Sequence, residues 1–280
     1  MIPVFLSSYG RSGTTILMRI LAAHPEVLVR SIFPYETRAA QYHFLCAAQG
    51  RQSPDFMPVE LLGTVFKPFQ ENDKRSLEWC QLGQTSEYAT FGENAIEEYY
   101  DFVKGVECKS DAKYFVEKIF SMPLTKEMMK GLSGARSIVL HRDPRDIFCS
   151  VKAFNKKRLR LSFGEDMGDQ FLYKSILKFQ LGESLFKKTF GDQVILFKYE
   201  DLLMQMEGTL TNLFEWLRVD SSKDQVDAVI KSALAHDDRM ASHKTSGEGM
   251  SIGKWRKEAS EDNLHMFTEY MKELRLLGYA

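Results

Sequence analysis

The chain has 280 residues, enough to bury a sizeable core, and its 37 basic and 38 acidic residues leave a net charge of −1. That balance argues against a general nucleic-acid or membrane-surface binder, which needs a large basic excess, and leaves room for one local basic pocket. No run of eighteen apolar residues occurs and no charged stretch leads an apolar one at the start, so the expectation is a soluble, cytoplasmic protein with no membrane anchor.

The apolar run at residues 2–6 reads as a buried strand, and residues 14–23 as a helix with Ile16, Leu17, Ile20 and Leu21 at helical spacing. Between them lies Ser7-Ser8-Tyr9-Gly10-Arg11-Ser12-Gly13. A strand that turns through glycines into a helix N-terminus offers free N–H groups and a favourable dipole to an anion. Gly10 and Gly13 let the backbone wrap a ligand, Ser12, Thr14 and Thr15 add hydroxyls, and Arg11 adds a forked cation. The turn is not the nucleotide-triphosphatase loop G-x-x-x-x-G-K-[ST], because its glycines are closer and no Lys follows the second one. A plain βα turn without a ligand is the competing reading, and five ligand-ready residues on one turn weigh against it.

Pro25 stops the helix, residues 27–29 read as a second strand, and residues 33–38 lead into a helix ending near residue 48. Parallel strands present their C-terminal ends together, so Glu36 falls on the same sheet edge as the first turn. It is a candidate general base, or else a charge complementing the next helix's dipole; spacing alone leaves both open. Residues 50–112 read as a helical insertion beside the site, clearest as a helix at 93–106, with many aromatics that mostly serve as core.

Residues 114–120 read as a strand with Lys118 near its end, followed by a helix that Pro123 helps to begin. The clearest buried strand is 136–141, and it runs into Arg142-Asp143-Pro144-Arg145-Asp146 and on to Ser150. Pro144 suits the first turn of a helix. This is a second strand-to-helix junction with a cation, Arg142, and a hydroxyl, Ser150; a surface ion pair of Arg142 with Asp143 or Asp146 is the alternative. Residues 156–160 form a basic run whose ordinary meaning is a solvated surface. A long helix is expected at 168–190, with two apolar stripes (Leu172, Ile176, Phe179, Phe186 and Leu177, Leu181, Leu185), closed by Gly191. A strand at 194–197 ends beside Tyr199, and helices follow at about 207–218 and 222–236. Residues 236–252 lose periodicity and read as a mobile loop ending at Gly253-Lys254-Trp255-Arg256-Lys257, before a last helix over 261–277. Cys46, Cys80, Cys108 and Cys149 are scattered, with no CxxC, and read as free thiols. The fold class is α/β: a P-loop-like parallel sheet with helices on both faces, one domain over 1–280 carrying the 50–112 insertion.

Taken together and in order, the segments Tyr9–Thr15, Arg142–Ser150, Tyr199–Leu202 and Gly253–Lys257 resemble those of the PAPS-dependent sulfotransferase family, where PAPS is 3′-phosphoadenosine 5′-phosphosulfate. The resemblance spans most of the chain. It implies that Arg11, Ser12, Gly13, Thr14 and Thr15 hold the 5′-phosphosulfate and that Arg142 and Ser150 hold the 3′-phosphate. It also implies that Tyr199 approaches the adenine, and that Lys254, Trp255 and Arg256 close over the nucleotide behind a lid. No metal is implied. The reaction would be in-line transfer of a sulfuryl group to an acceptor hydroxyl or amine, with Arg11 stabilising the bridging oxygen. Some branches use a His as base and others a Glu soon after the first helix; Glu36 matches the second pattern. His43 lies near enough to stay in view, His141 reads as structural, and Lys118 is placed to assist. The chain has Arg11 where the cytosolic branch has Lys, which favours the Glu-using branches. A small molecule, a lipid and a carbohydrate all stand as acceptors. The competing functions are an ATP-dependent small-molecule kinase and an inactive nucleotide-binding protein.

Overall fold

The computed structural model describes residues 1–49, 86–159, 162–235 and 251–279. Five strands, β1 (Ile2–Ser7), β2 (Val27–Leu28), β3 (Tyr114–Ile119), β4 (Arg136–His141) and β5 (Val194–Lys198), form one all-parallel sheet in the order β2-β3-β1-β4-β5. Parallel strands covered on both faces read as continuous apolar runs, which is why β1 and β4 stand out in the sequence. Successive side chains still alternate. Val4, Leu6, Val116, Ile138 and Leu140 pack on one face. Against them lie α1 (Thr14–Ala23), α7 (Tyr199–Met204), α8 (Met206–Leu217) and α9 (Lys223–Leu234), through Leu17, Leu21, Leu202, Phe214 and Val229. Phe5, Phe115, Val139 and Val194 pack on the other face. That layer is α2 (Ala39–Gln49), α3 (Ser86–Val106), α4 (Met122–Gly131) and the C-terminal part of α6 (Asp169–Phe190), through Phe44, Tyr100, Met128 and Phe186. A third cluster joins α5 (Pro144–Arg158) and α6 to α11 (Glu261–Glu269) and α12 (Met271–Leu277), through Phe148, Tyr173, Phe267 and Leu274.

The elements differ from the expectation at a few edges. β2 has two residues rather than three, and β5 runs one residue further, to Lys198. α3 starts at Ser86, ahead of its clear periodicity; the rest of the expected insertion, residues 50–85, lies outside the described residues. On α6, Leu185 is 61% exposed. Phe186 enters the core beside Val194, so Leu185, about 100° round the helix, points away from it. The last helix is broken at Tyr270. Among the described residues no helix is long and apolar enough to cross a membrane.

The chain leaves β1 towards β2 on one side of the sheet and leaves β4 towards β5 on the other. Such a switch point opens a crevice at the C-terminal strand edge, between the turn after β1 and the helix after β4.

Candidate active site

Both sides of that crevice are backbone junctions. In the first, Arg11 (φ 70°) and Gly13 (φ 95°) are left-handed, which folds the turn back over the N-terminus of α1. The Ser8 hydroxyl donates to the Leu140 carbonyl at 2.7 Å and fastens the turn to β4. A Cβ on Gly13 would sit 2.3 Å from the Tyr199 ring, so the bare backbone is what admits that ring. Ser12 is fully buried, and its Oγ has no hydrogen-bond partner.

In the second junction, Asp143 caps α5 by accepting the Arg145 N–H at 3.0 Å, and Pro144 takes the first turn. Arg142 is buried. Its Nη1 donates to the Arg11 carbonyl at 2.8 Å and its Nη2 to the Ser251 carbonyl at 2.7 Å. The surface ion pair is therefore not formed: Asp143 is taken by Arg145 in a bidentate pair at 2.9 and 2.7 Å. The buried Nε of Arg142 has no partner. Arg11 reaches across the crevice, donating from Nε to the Ser150 hydroxyl at 3.3 Å. Burial, with the like charges of Arg142 and Arg158 behind it, lowers the Arg11 guanidinium to about 10.

A strap closes one end. The hydroxyls of Tyr199 and Ser251 are 2.7 Å apart. The Asp146 carboxylate accepts the N–H groups of Gly253 at 2.6 Å and Trp255 at 3.0 Å. Trp255, which opens α10 (Trp255–Glu258), has Arg145 at 4.1 Å and Arg256 at 4.6 Å from its ring, and its buried Nε1 has no partner. Lys254 pairs with Glu258 at 3.7 Å, and Arg256 is exposed. The loop expected before this strap lies outside the described residues up to residue 250.

On the β3 side, Lys118 is 1% exposed and donates to the Thr15 hydroxyl at 3.1 Å and the Pro34 carbonyl at 2.7 Å. Burial lowers its ammonium to about 8, against the opposing pull of Glu36. Glu36 stands with one oxygen 4.0 Å from Lys118 Nζ and the other 3.9 Å from Arg38 Nη2, its side chain 41% exposed. The structure thus brings Glu36 beside the first turn. The competing role, charge at the start of α2, belongs to Glu117, which accepts the N–H groups of Ala40 at 2.8 Å and Gln41 at 3.4 Å and the Tyr100 hydroxyl. His43 packs between Tyr42 and Tyr99 rather than beside the turn. His141 is buried under the crevice, 3.4 Å from Glu183.

Two features escaped the sequence reading. Glu117 sits beside Lys118 in a strand whose other residues are apolar, and nothing local marks its role. Phe154 holds both Arg11 (4.6 Å) and Arg158 (4.5 Å) at its ring, and the i, i+4, i+8 spacing of Ser150, Phe154 and Arg158 was the available signal. Among the described residues no group of His, Cys, Asp or Glu is placed to hold a metal ion, and Cys108 and Cys149 are free.

A family model described as "Sulfotransferase family" matches residues 3–223. The sulfotransferase domain from the curacin biosynthetic pathway is 14% identical, with a TM-score of 0.59, and the match covers 100% of this chain and 99% of that one. A sulfotransferase from Alicyclobacillus acidocaldarius is 15% identical at a TM-score of 0.53, over 99% and 95% of the two chains. Mouse sulfotransferase SULT7A1, solved in complex with PAP, is 13% identical at 0.53, over 98% and 85%. At such identities the likeness is one of fold. No curated protein matches the chain.

Proposed function

The chain belongs to the sulfotransferase family, and from that premise we propose that it moves a sulfuryl group from PAPS to an acceptor hydroxyl or amine, with Glu36 as general base. The crevice suits such a nucleotide on its own terms. Two buried donors, Ser12 Oγ and Arg142 Nε, have no protein partner, and a third, Trp255 Nε1, lies on the strap. Buried donors left unpaired are costly unless a ligand meets them. Ser12, Thr14, Thr15 and the N–H groups of the turn would hold the 5′ end, while Gly13 keeps the backbone close. Arg142 and Ser150 would hold the 3′-phosphate, Tyr199 would border the base, and Lys254, Trp255 and Arg256 would close over it. The bound nucleotide supplies the activated sulfuryl group.

The rest is done by this chain. Arg11, which already reaches Ser150, stabilises charge on the oxygen released as its bond to sulfur breaks. Lys118 is fixed at Thr15 and adds a second cation on the β3 side. Glu36 takes the proton of the acceptor as the new bond to sulfur forms. Its exposure leaves it open to an incoming molecule, and its two cationic neighbours keep it near the turn. The single observation carrying this reading is the Arg11–Ser150 hydrogen bond, which unites the two anion-suited junctions in one site. The competing kinase needs a Lys after the second glycine, and Thr14 stands there.

The test is melting temperature with PAP against ATP plus Mg²⁺. A ligand that binds only the folded state, at 100 times its Kd, adds about 2.7 kcal/mol. A shift with PAP and none with ATP·Mg²⁺ is expected. The reverse result would overturn the reading in favour of the kinase.

A further inference from the structure

Most cations around the crevice are spoken for. Arg142 holds two backbone carbonyls and is assigned to the 3′-phosphate, Lys118 is fixed at Thr15 and Pro34 on the β3 side, and Arg38 faces Glu36. Arg158 is different. It is exposed, and among the described residues its guanidinium has no carboxylate partner; its contact is the Phe154 ring, 4.5 Å away. Arg11 occupies the same ring at 4.6 Å, so the two like charges lie within the roughly 10 Å over which charges interact at 0.1 M salt. Burial, then Arg142 and then Arg158 pull the Arg11 guanidinium down. A chain of net charge −1 has no general need to crowd cations. An anion between them would turn the repulsion into binding.

The Phe154 ring that holds Arg158 leads to an exposed apolar side chain, Phe163, which is 38% exposed. Phe163 lies over the first turn, where a Cβ on Gly10 would meet its ring at 2.2 Å, and its ring centre is 6.1 Å from that of Phe154. Phe171 lies 3.1 Å from where a Cβ on Gly164 would be. Polar ribose and phosphate gain nothing from such a surface, whereas an alkyl or aryl body does. Arg158 is also eight residues past Ser150 on α5, about 12 Å further along the helix axis from the junction suited to the 3′-phosphate.

We propose that the acceptor is an organic anion with an alkyl or aryl body, whose anionic group is bound by Arg158 while the body lies on Phe154 and Phe163. This deepens the sulfotransferase reading and rests on it. The test pairs acceptors that differ only in charge: 3-(4-hydroxyphenyl)propanoate against its primary amide, and 16-hydroxyhexadecanoate against its primary amide, each with PAPS. The carboxylate member of at least one pair is expected to have a kcat/KM tenfold or more above its amide. Arg158→Gln should abolish that preference and Arg158→Glu should invert it, with the melting shift by PAP reporting a folded site in each variant. Equal kcat/KM within both pairs, transfer to no member, or a preference that survives Arg158→Gln would each overturn the assignment. So would a loss of the PAP shift in Arg158→Gln with the acceptor preference kept, which gives Arg158 to the nucleotide. A wild-type protein that PAP does not stabilise is a separate result, and it sinks the sulfotransferase reading itself.

Discussion

Gly13 is closed to any side chain on two independent counts. Its φ of 95° strains an L residue, at roughly 1–3 kcal/mol, and the place of its Cβ is held by the Tyr199 ring. Gly13→Ala should therefore displace both the turn and Tyr199, and the melting shift with PAP should vanish while the variant still folds. Glu36 carries the opposite expectation, because it is proposed to act on the acceptor only. Glu36→Gln keeps shape and removes the base, so transfer should fall by about 10²–10⁴ while the PAP shift stays; transfer at the wild-type rate would move the base elsewhere. Lys118 sets a pH limit. Its folded ammonium, lowered to about 8 by burial, loses its proton well before the unfolded value of about 10.4. Transfer should fall as pH rises through about 8. Between about 8 and 10.4 the unfolded chain binds more protons at this lysine than the folded one, so its contribution to stability rises with pH. A pH–rate profile beside a pH–melting profile reads both, and Lys118→Met should erase the alkaline limb of the first.

Elements were the most legible scale, because the signals that fixed them are local. β1, α1 and β4 lie where their apolar runs lie, and Pro144 opens α5 as its missing N–H requires. The convergence of the two junctions was legible as well, since a parallel sheet gathers its strand ends on one edge. What stayed hidden was which side chain each element spends on another. Nothing local says that Glu117, on β3, serves the first N–H groups of α2, or that Asp146, on α5, serves the strap from Gly253 to Trp255. Both are carboxylates that satisfy backbone donors far away in sequence. The strap hangs on this: one oxygen of Asp146 takes Gly253 and the other takes Trp255. Asp146→Asn turns one acceptor into a donor that faces an N–H. A hydrogen bond to a charged group contributes about 1.5–3 kcal/mol, so the KM for PAPS should rise at least tenfold. Limited proteolysis of the strap, slowed by PAP in the wild type and not in the variant, is the companion measurement; an unchanged KM would mean that the strap closes without Asp146.

At the scale of the whole molecule, the two junctions are held together from beneath by one helix. Glu183 on α6 is fully buried. It accepts the hydroxyl of Ser7, the last residue of β1, at 2.9 Å, and its other oxygen stands 3.4 Å from Nε2 of His141, the last residue of β4. Less than one turn earlier, Gln180 donates to the carbonyl of Arg142 at 2.8 Å. Burial raises the Glu183 carboxyl, and the Ser7 hydroxyl and His141 pull the other way. None of these groups faces the crevice, yet the spacing between the turn after β1 and the start of α5 depends on them. Glu183→Gln keeps the volume and loses the charge, at a cost of about 1–3 kcal/mol. Glu183→Ala also leaves the buried Ser7 hydroxyl without its acceptor, and an unsatisfied buried donor costs about 1–3 kcal/mol more. Both should weaken PAP binding even in the fully folded protein, Glu183→Ala more than Glu183→Gln, because the junctions are free to separate. Calorimetric titration at a temperature where each variant is fully folded separates that effect from lost stability. Variants that melt early but bind PAP as the wild type does would show that β1 and β4 hold their ends in place unaided, and that α6 contributes stability alone.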